Sequence, residues 1–359
     1  MDFITDPRYA VKWAKLLFEV KCIETVCCLP RFNDNPYSEA KHLPKLPNSI
    51  EINSGVLAIQ PGVRLVGHKW LLGEDEKFCC DEVFSSSRIA SMFNSDRDTP
   101  IKINAEGEFS YIPGRRKIFI NEKIGIAVSS EPSNWGSFIF RILPKVALLK
   151  TLGCQKILVY CSHTTQRQAI KSLGFDDSDI ICHYPENEYV LDGGAIYPMT
   201  LQSSGYLSTF ARIALSNFKK TNTSKFGEKI YITRGNATKR KCVNETDVIS
   251  MLDKHGFTVV YPGDLSFFEQ VELFSGAKFV IGPSGAAMFN VAFCKPGTHV
   301  IDIESQRAWT YAHCSLFSSL DLAYGIFWGK PVEDNDVHAP FTIDCNALEE
   351  RVKKCLSVM

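Results

Sequence analysis

The sequence contains no stretch of about 18 apolar residues, so we expect no transmembrane span. Its first residues lack a basic start followed by an apolar core, so we expect no signal peptide and a cytoplasmic location. Peripheral contact with the inner face of a membrane stays open. Neither charge is in excess, because 40 Lys and Arg balance 40 Asp and Glu. Without a net charge or a dense basic run, nothing favours a nucleic-acid partner.

Zinc-ligand spacing is also missing among the 13 cysteines, which include the adjacent pairs Cys27-Cys28 and Cys79-Cys80. In a cytosolic protein we expect them to be reduced, mostly buried thiols. The 359 residues suffice for two domains, and a content of 45% hydrophobic and 22% charged residues is ordinary for a globular chain.

The first 110 residues are interpreted as an N-terminal helix plus a β-rich extension. Amphipathic periodicity predicts the helix over residues 6–19, and prolines and asparagines predict an irregular connector over 29–49. Short alternating runs predict antiparallel strands over residues 50–120. The rest of the chain is predicted to form two α/β domains, residues 111–204 and 205–359, the second ending in a helix.

Strand and helix patterns alternate from residue 124 onward, which predicts an α/β fold. In the first domain we expect strands over 124–129, 156–160 and 179–183, and helices over 134–152 and 163–173. A helix over 205–220 is expected to link the two halves. Pro144 predicts a kink or a new helix start. In the second domain we expect strands over 229–232, 258–261, 278–281 and 298–303, and helices over 244–254, 266–275 and 285–293. Asn244 can cap the first of these helices, and Ser266 and Glu269 can form a capping box for the second. Short connections imply a parallel sheet, which binds ligands beyond the carboxyl ends of its strands.

A glycine-rich turn follows the predicted strand 278–281 and opens the next helix. Its backbone N–H groups would converge on one point, which suits a phosphate, and Gly285 would let the backbone approach it. Arg234 and Arg240 follow an earlier strand and can fork onto phosphate oxygens. The alternatives are a turn required only for packing and solvated loop charges. The candidate donor-binding residues are Arg234, Arg240, Tyr261, Gly282, Ser284, Gly285, Ala286 and Asn290.

A second candidate segment joins the strand 124–129 to the helix 134–152. Glu131 and Asn134 could hydrogen-bond sugar hydroxyls, Trp135 could stack on a sugar face, and Ser137 lies in the same turn. The alternative is a helix cap with a core tryptophan. We therefore assign Asn134, Trp135 and Ser137 as candidate acceptor-binding residues and Glu131 as a candidate catalytic residue.

Two further acidic residues, Asp302 and Glu304, alternate with apolar residues and should share one face of a strand. One of them could act as a base or hold a sugar hydroxyl, or both could be a strand-end pair beside a helix N-terminus. The Asp-x-Asp pairs at 96–98, 177–179 and 334–336 are interpreted as turn or capping residues, since none faces the expected site. We therefore predict no metal and no cofactor, and no serine-histidine-acid set is evident.

The spacing of these residues resembles glycosyltransferase family 61 over roughly residues 120–350. The resemblance rests on Ile232-Thr-Arg234, Arg240, Asn244-Glu245, Gly256-Phe257, Val260-Tyr-Pro262, Leu265-Ser-Phe267, Glu269-Gln270, Gly282-Pro-Ser-Gly285-Ala286, Asn290, Pro296-Gly297 and, in the first half, Asn134-Trp-Gly and Leu143-Pro144. It implies a GT-B-like arrangement of two Rossmann-type domains, acceptor then donor, facing a central crevice. It also implies metal-independent, inverting transfer from a nucleotide sugar to a glycan or glycolipid acceptor. The donor diphosphate would lie at Arg234, Arg240 and residues 282–286.

Bacterial members of that family often serve capsular or cell-surface polysaccharide assembly. Where the family commonly has histidines, this chain has Ser137 and Ser284, and Arg141 stands in place of an acid. The identity of the catalytic base is therefore open, and a catalytically inactive homologue that binds nucleotide sugar or glycan is an alternative. A nucleotide-dependent oxidoreductase is disfavoured, because no Gly-x-Gly-x-x-Gly turn follows the first strand of either half.

Overall fold

The structure is a computed structural model. It describes residues 2–3, 12–26, 29–37, 47–79, 101–103, 109–199, 202–203, 206–218, 225–235, 239–305, 310–333 and 336–359. The chain divides into two units, Met1–Cys22 with Glu51–Gln202 and Ile23–Ile50 with Ser203–Met359. Residues 1–110 therefore contribute segments to both units. Among the described helices, none has the length and apolar character needed to cross a membrane.

The strands are short and are numbered in chain order. Those of the N-terminal third are β1 (Asp2–Phe3), β2 (Ala14–Thr25), β3 (Asn33–Asp34), β4 (Ser49–Ile59), β5 (Val63–Val66), β6 (Trp70–Leu72), β7 (Lys77–Cys79), β8 (Ile101–Ile103) and β9 (Phe109–Tyr111). Next come β10 (Lys117–Phe119), β11 (Ile124–Ala127), β12 (Ile157–Val159), β13 (Ile180–Cys182), β14 (Glu188–Leu191), β15 (Ala195–Met199), β16 (Gln202–Ser203) and β17 (Tyr206–Leu207). The last are β18 (Lys229–Ile232), β19 (Thr258–Val260), β20 (Phe279–Pro283), β21 (His299–Glu304), β22 (Ala323–Trp328), β23 (Lys330–Pro331) and β24 (Phe341–Thr342).

The α-helices of the described residues are α1 (Trp135–Ser137), α2 (Leu143–Thr151), α3 (Thr164–Ser172), α4 (Thr209–Ser216), α5 (Glu245–Asp253), α6 (Phe267–Gly276), α7 (Thr310–Ser318) and α8 (Cys345–Leu356). A π-helical turn, Phe138–Ile142, joins α1 to α2. Pro144 lies in the first turn of α2, where its missing N–H costs least, so the predicted new helix start is confirmed. Three 3₁₀ segments cover Asp177–Asp179, Pro262–Asp264 and Ala286–Phe293.

The first unit contains two six-stranded sheets, of order β1-β7-β6-β5-β14-β10 and β13-β12-β11-β15-β4-β2. Antiparallel pairing, predicted for residues 50–120, is found between β5 and β6 and between β6 and β7. However, β10 pairs with β14 in parallel. In the second sheet β11, β12, β13 and β15 are parallel where they pair. The core between these layers includes Leu65, Ile126 and Tyr197, all fully buried.

The predicted N-terminal helix is wrong over the part that the structure describes. Residues 14–19 belong to the twelve-residue strand β2, and residues 6–11 lie outside the described residues. The strand lies beside β4 at the edge of its sheet. The preference of a short segment for a helix is small compared with the hydrogen bonds that it gains by pairing with another strand. In addition, the β-branched residues Val20 and Ile23 favour a strand.

The second unit is built on a parallel sheet of order β19-β18-β20-β21-β22-β3. The parallel strand–helix alternation predicted for this half is confirmed. In the described part of the connector predicted over 29–49, Asn33–Asp34 forms β3 and pairs with β22, and β4 begins at Ser49. The core on one side of the sheet includes Tyr231, Ile281 and Leu348.

Two details at the predicted glycine turn differ from expectation. β20 continues through Gly282 and Pro283, because the neighbouring strand β21 pairs with both, so the turn starts only at Ser284. The helix that follows is a 3₁₀ helix, and it begins at Ala286.

The predicted capping box of α6 is confirmed, since Ser266 Oγ and the Glu269 carboxylate each accept from the other's backbone N–H. Asn244 stands at the start of α5 as predicted, but its side chain makes no cap. Instead its amide donates to the Ile343 carbonyl at 2.8 Å and accepts from the Ile343 N–H at 2.9 Å.

Candidate functional site

The guanidinium of Arg234 lies directly over the glycine turn of the second unit. Thr233 ends the β18 ladder, donating its N–H to Val260, and Arg234 follows it. Nη1 of Arg234 donates to the Ser284 carbonyl at 2.8 Å. A Cβ built on Gly285 would lie 2.3 Å from that Nη1 atom. Glycine at position 285 therefore leaves room for the Arg234 guanidinium. We had expected a different reason for this glycine, namely the close approach of the backbone to a ligand.

Arg240 lies beside Arg234 in an unusual backbone conformation. Its φ is +53°, the left-handed region that side-chain-bearing residues rarely adopt, and its N–H donates to His338 at 2.8 Å. Such strain persists where surrounding contacts fix it, often at functional sites. Burial and the charge of Arg240 together lower the pKa of Arg234 to about 10. The pKa of Arg240 is also lowered by burial, although Glu304 and Asp302 oppose this shift.

Beneath the turn, four buried side chains form a polar cluster of Ser284, Asp302, Glu304 and His313, none more than 4% exposed. Nδ1 of His313 lies 2.8 Å from Asp302 Oδ2, 3.3 Å from Ser284 Oγ and 3.5 Å from Glu304 Oε1. The predicted placement of Asp302 and Glu304 on one face of a strand is confirmed by their shared contact with this ring.

Burial and neighbouring charges raise the pKa values of two groups in this cluster. Burial, then the charge of Asp302, raises the pKa of Glu304 to about 7. Burial by itself would lower the pKa of His313, but the charge and hydrogen bond of Asp302 outweigh it, and the pKa is raised. Both shifts favour the protonated forms of Glu304 and His313.

His313 was missed by sequence reasoning, and no motif could have revealed it. It lies in α7, after the strand that carries Asp302 and Glu304, and only the fold brings its ring under Ser284. The cluster contains a serine, a histidine and an acid, yet it is not a nucleophile relay. Ser284 and Asp302 both contact Nδ1, whereas a relay uses the two opposite nitrogens of the ring.

The cluster also contains three residues of types that bind metal ions, namely Asp302, Glu304 and His313. One ligand atom from each lies within 4.8 Å of the others. Carboxylate and imidazole donors suit several divalent cations, so these residues could hold one. Two observations weigh against it. Nδ1 of His313 already has Asp302 as its partner, and the positive charge of Arg240 acts on both carboxylates. The Arg240 guanidinium thus already places positive charge near both carboxylates.

The other predicted donor residues take different positions. Tyr261 is 43% exposed and affects the pKa of Arg234, so it lies near the arginine pair. Ala286 is exposed at the helix start. Gly282 instead lets β20 pack on β18, since a Cβ there would lie 2.9 Å from Ile232 Cβ. Asn290 is fully buried, and its amide donates to the Ala287 carbonyl at 3.1 Å.

In the first unit, the predicted acceptor segment has the geometry of the capping alternative. Asn134 Oδ1 accepts from the N–H groups of Gly136 and Ser137 at 2.9 and 3.2 Å. Ser137 is buried, and its hydroxyl lies 2.8 Å from that of Ser129. The Trp135 ring stacks on Phe138 with centroids 5.4 Å apart.

Glu131 is exposed at the tip of this loop, which other side chains hold in place. Lys145, buried although charged, donates to the Val128 carbonyl at 2.8 Å. Gln166 donates to the Pro132 carbonyl at 2.9 Å, and Arg141 donates to Ser130 at 3.0 Å. The sequence indicated none of these supports, because each joins separate elements.

Comparison with known protein families gives a match over the central part of the chain. Residues 135–301 match the family model described as Glycosyltransferase 61. The match includes Arg234, Arg240 and the turn at Gly285, and it ends just before Asp302. No curated protein matches the chain. The similarity of residues 135–301 to this family model supports a glycosyltransferase enzyme.

Proposed function

We propose that this glycosyltransferase uses a nucleotide-activated donor whose diphosphate binds between Arg234, Arg240 and the start of the 3₁₀ helix. The observation that carries the proposal is the placement of the Arg234 guanidinium in the space that a side chain at Gly285 would fill. Within the described part of the chain, Nε of Arg234 is buried and has no hydrogen-bond partner. A phosphate oxygen would satisfy it.

The charges of the site support an anionic ligand. Arg234 and Arg240 are partly buried and close enough for the charge of one to shift the pKa of the other. An anion bound between them would relieve both the repulsion and the burial cost. The first N–H groups of a helix have no intrahelical acceptor, so those of Gly285 and Ala286 can add donors.

In this proposal the leaving nucleoside diphosphate is stabilised by fixed cations and dipoles, without a metal. The acceptor hydroxyl attacks the anomeric carbon directly, which inverts its configuration and requires one base. Of the three predicted catalytic residues, Asp302 and Glu304 are each 1% exposed. We assign them to holding the turn and its arginines. The exposed Glu131 is then the candidate base.

The resemblance supports the finer features of the proposal. Family 61 enzymes are expected to have a GT-B arrangement of two Rossmann-type domains, and the second unit supplies a parallel sheet of that kind. The loop that carries Glu131, Asn134, Trp135 and Ser137 is proposed to contact a glycan or glycolipid acceptor. Likeness to bacterial members favours a role in surface polysaccharide assembly at the cytoplasmic side of the membrane.

Nucleoside diphosphate binding is expected to be independent of metal. Isothermal titration with uridine and guanosine diphosphates in the presence of EDTA should give the same dissociation constant as with magnesium, within about twofold, because the arginines neutralise the phosphates. Binding that vanishes with EDTA and returns with magnesium or manganese would contradict the prediction. Such a result would make Asp302, Glu304 and His313 the candidate ligands of that metal ion.

Arg234→Ala is expected to weaken binding of the same diphosphate by about tenfold or more, since a charge-assisted contact contributes roughly 1.5–3 kcal/mol. Lys241→Ala is the matched control, because Lys241 is a nearby cation whose side chain is exposed. The control should change affinity by less than about twofold. Equal small effects of the two substitutions would place Arg234 outside the donor site.

Turnover tests the proposal as a whole. The protein is incubated with a mixture of nucleotide sugars and glycan acceptors, products are found by mass spectrometry, and their anomeric configuration is read by NMR. A product with inverted configuration supports the proposal, and a retained configuration contradicts direct displacement. Donor binding without any product would favour the binding-only alternative, to which the serines at positions 137 and 284 also point.

A further inference from the structure

Two thiols of the first unit lie almost in contact at one end of its second sheet. Cys182 is the last residue of β13, and Cys161 follows β12 by two residues. The strands pair in parallel, with Val159 opposite Cys182. Both cysteines are free thiols, and their Sγ atoms are 2.9 Å apart, closer than unbonded sulfurs normally approach.

The surroundings give the two thiols different roles. Cys161 is 2% exposed, whereas Cys182 is partly exposed. The Cys161 thiol donates to Cys182 Sγ, and Nη2 of Arg167 lies 3.7 Å from Cys161 Sγ. The hydrogen bond from Cys161 is the main cause that lowers the pKa of Cys182, to about 6. An accessible thiolate with a second thiol behind it is the arrangement of a nucleophilic and a resolving cysteine.

We propose that Cys161 and Cys182 form a reversible redox modification site that low-molecular-weight disulfides convert to an intramolecular disulfide. The contact between the sulfurs, the difference in their exposure and their positions on adjacent strand ends carry the proposal. It does not depend on the sugar-transfer reaction.

The chemistry is a pair of thiol–disulfide exchanges. The Cys182 thiolate attacks one sulfur of the small disulfide, whose S–S bond breaks and releases one small thiolate. The Cys161 thiol then attacks Cys182 Sγ in the mixed disulfide and releases the second small thiolate, which takes up the proton of Cys161. Two protein cysteines are oxidised, and one small disulfide is reduced to two small thiols.

Little movement is required for this bond to form. A disulfide joins its sulfurs at about 2.0 Å, so the two Sγ atoms need to approach by only about 0.9 Å, which small side-chain rotations can supply. The bond would fix the turn before α3. Gln166, in the first turn of that helix, holds the Pro132 carbonyl, so the oxidised form would brace the loop that carries Glu131.

The sequence allows a clean test, because trypsin separates the two cysteines from all others. Peptide 157–167 contains Cys161 as its single cysteine, and peptide 172–212 contains Cys182 as its single cysteine. The full-length protein is incubated with oxidised glutathione, quenched with N-ethylmaleimide and digested, and the peptides are identified by mass spectrometry. We expect these two peptides joined by a disulfide, with maleimide label lost from both in equal proportion and restored after dithiothreitol.

Single substitutions test the order in which the two cysteines react. Cys161→Ser should leave glutathione trapped on Cys182, and Cys182→Ser should leave Cys161 largely unreacted. Cys154→Ser is the matched control, since Cys154 is a partly exposed free thiol of the same unit, and it should leave the cross-link unchanged. Wild-type protein that carries glutathione on Cys182 without a cross-link would overturn the proposal. So would full labelling of both peptides under conditions that oxidise Cys154.

Discussion

Gly285→Ala is expected to lower the affinity for a nucleoside diphosphate by about tenfold to a hundredfold. The added Cβ would lie 2.3 Å from Nη1 of Arg234, so the guanidinium must leave its place and its hydrogen bond to Ser284. Losing a charge-assisted contact costs roughly 1.5–3 kcal/mol, which corresponds to that range of affinity. The backbone itself is not strained by the change, because φ of Gly285 is 164°, an extended value open to any residue. Isothermal titration measures the effect.

Gly55→Ala is the matched control for this substitution. Gly55 lies in β4, and a Cβ there would meet its nearest neighbours at 3.5 Å, an ordinary contact. The control should bind the diphosphate as the wild type does, and circular dichroism should show both variants folded. Unchanged affinity in a folded Gly285→Ala protein would show that the position of Arg234 is irrelevant to the donor.

His313→Ala is expected to destabilise the protein by about 3–5 kcal/mol, the cost of leaving a buried charge without its partner. The ring is 3% exposed and stands between Asp302 and Glu304, so its removal takes away the hydrogen bond that the buried Asp302 carboxylate makes with Nδ1 at 2.8 Å. Packing against Phe289, with ring centroids 4.8 Å apart, would be lost as well. Urea unfolding at neutral pH, followed by circular dichroism, gives the free energy of unfolding.

A double-mutant cycle separates charge from packing. In a Glu304→Gln background one of the two buried carboxylates is already neutral, so His313→Ala should cost less there than in the wild type. Equal costs in both backgrounds would mean that His313 and Glu304 are not coupled, and that the cost of removing His313 comes from Asp302 and from packing.

Local patterns predicted the parts of this fold that depend on neighbours in sequence. The alternation of strands and helices from residue 229 to 304, the new helix start at Pro144 and the capping box of Ser266 and Glu269 all follow from periodicity and side-chain chemistry within a few residues. Residues 14–19 of β2 were predicted as part of a helix from their amphipathic periodicity, which carries no information about the partner strand β4. Tertiary pairing of this kind leaves no local signal.

The candidate site also combines residues that local patterns indicated with contacts that only the fold creates. The sequence indicated Arg234, Arg240 and Gly285, since cations and glycines after strands have a known use. It could not show that the glycine accommodates the arginine, because the two residues are 51 positions apart and meet only across β18 and β20. His313 was missed for a similar reason. Its role depends on which face of α7 lies under the turn, and periodicity alone does not place a buried histidine beside a particular acid.

Strand β3 can take its place in the sheet only late in synthesis of the chain. Asn33 and Asp34 complete the edge of a sheet whose other strands all come from residues 229–328, and the Asn33 side chain accepts from Trp328, 295 residues later. At roughly 5–20 residues per second, a ribosome needs about 15–60 s to add that stretch. During this interval the early segment has no strand to pair with. A nascent chain arrested before β22 would therefore keep residues 33–34 open to proteases, and release of the completed chain would close them.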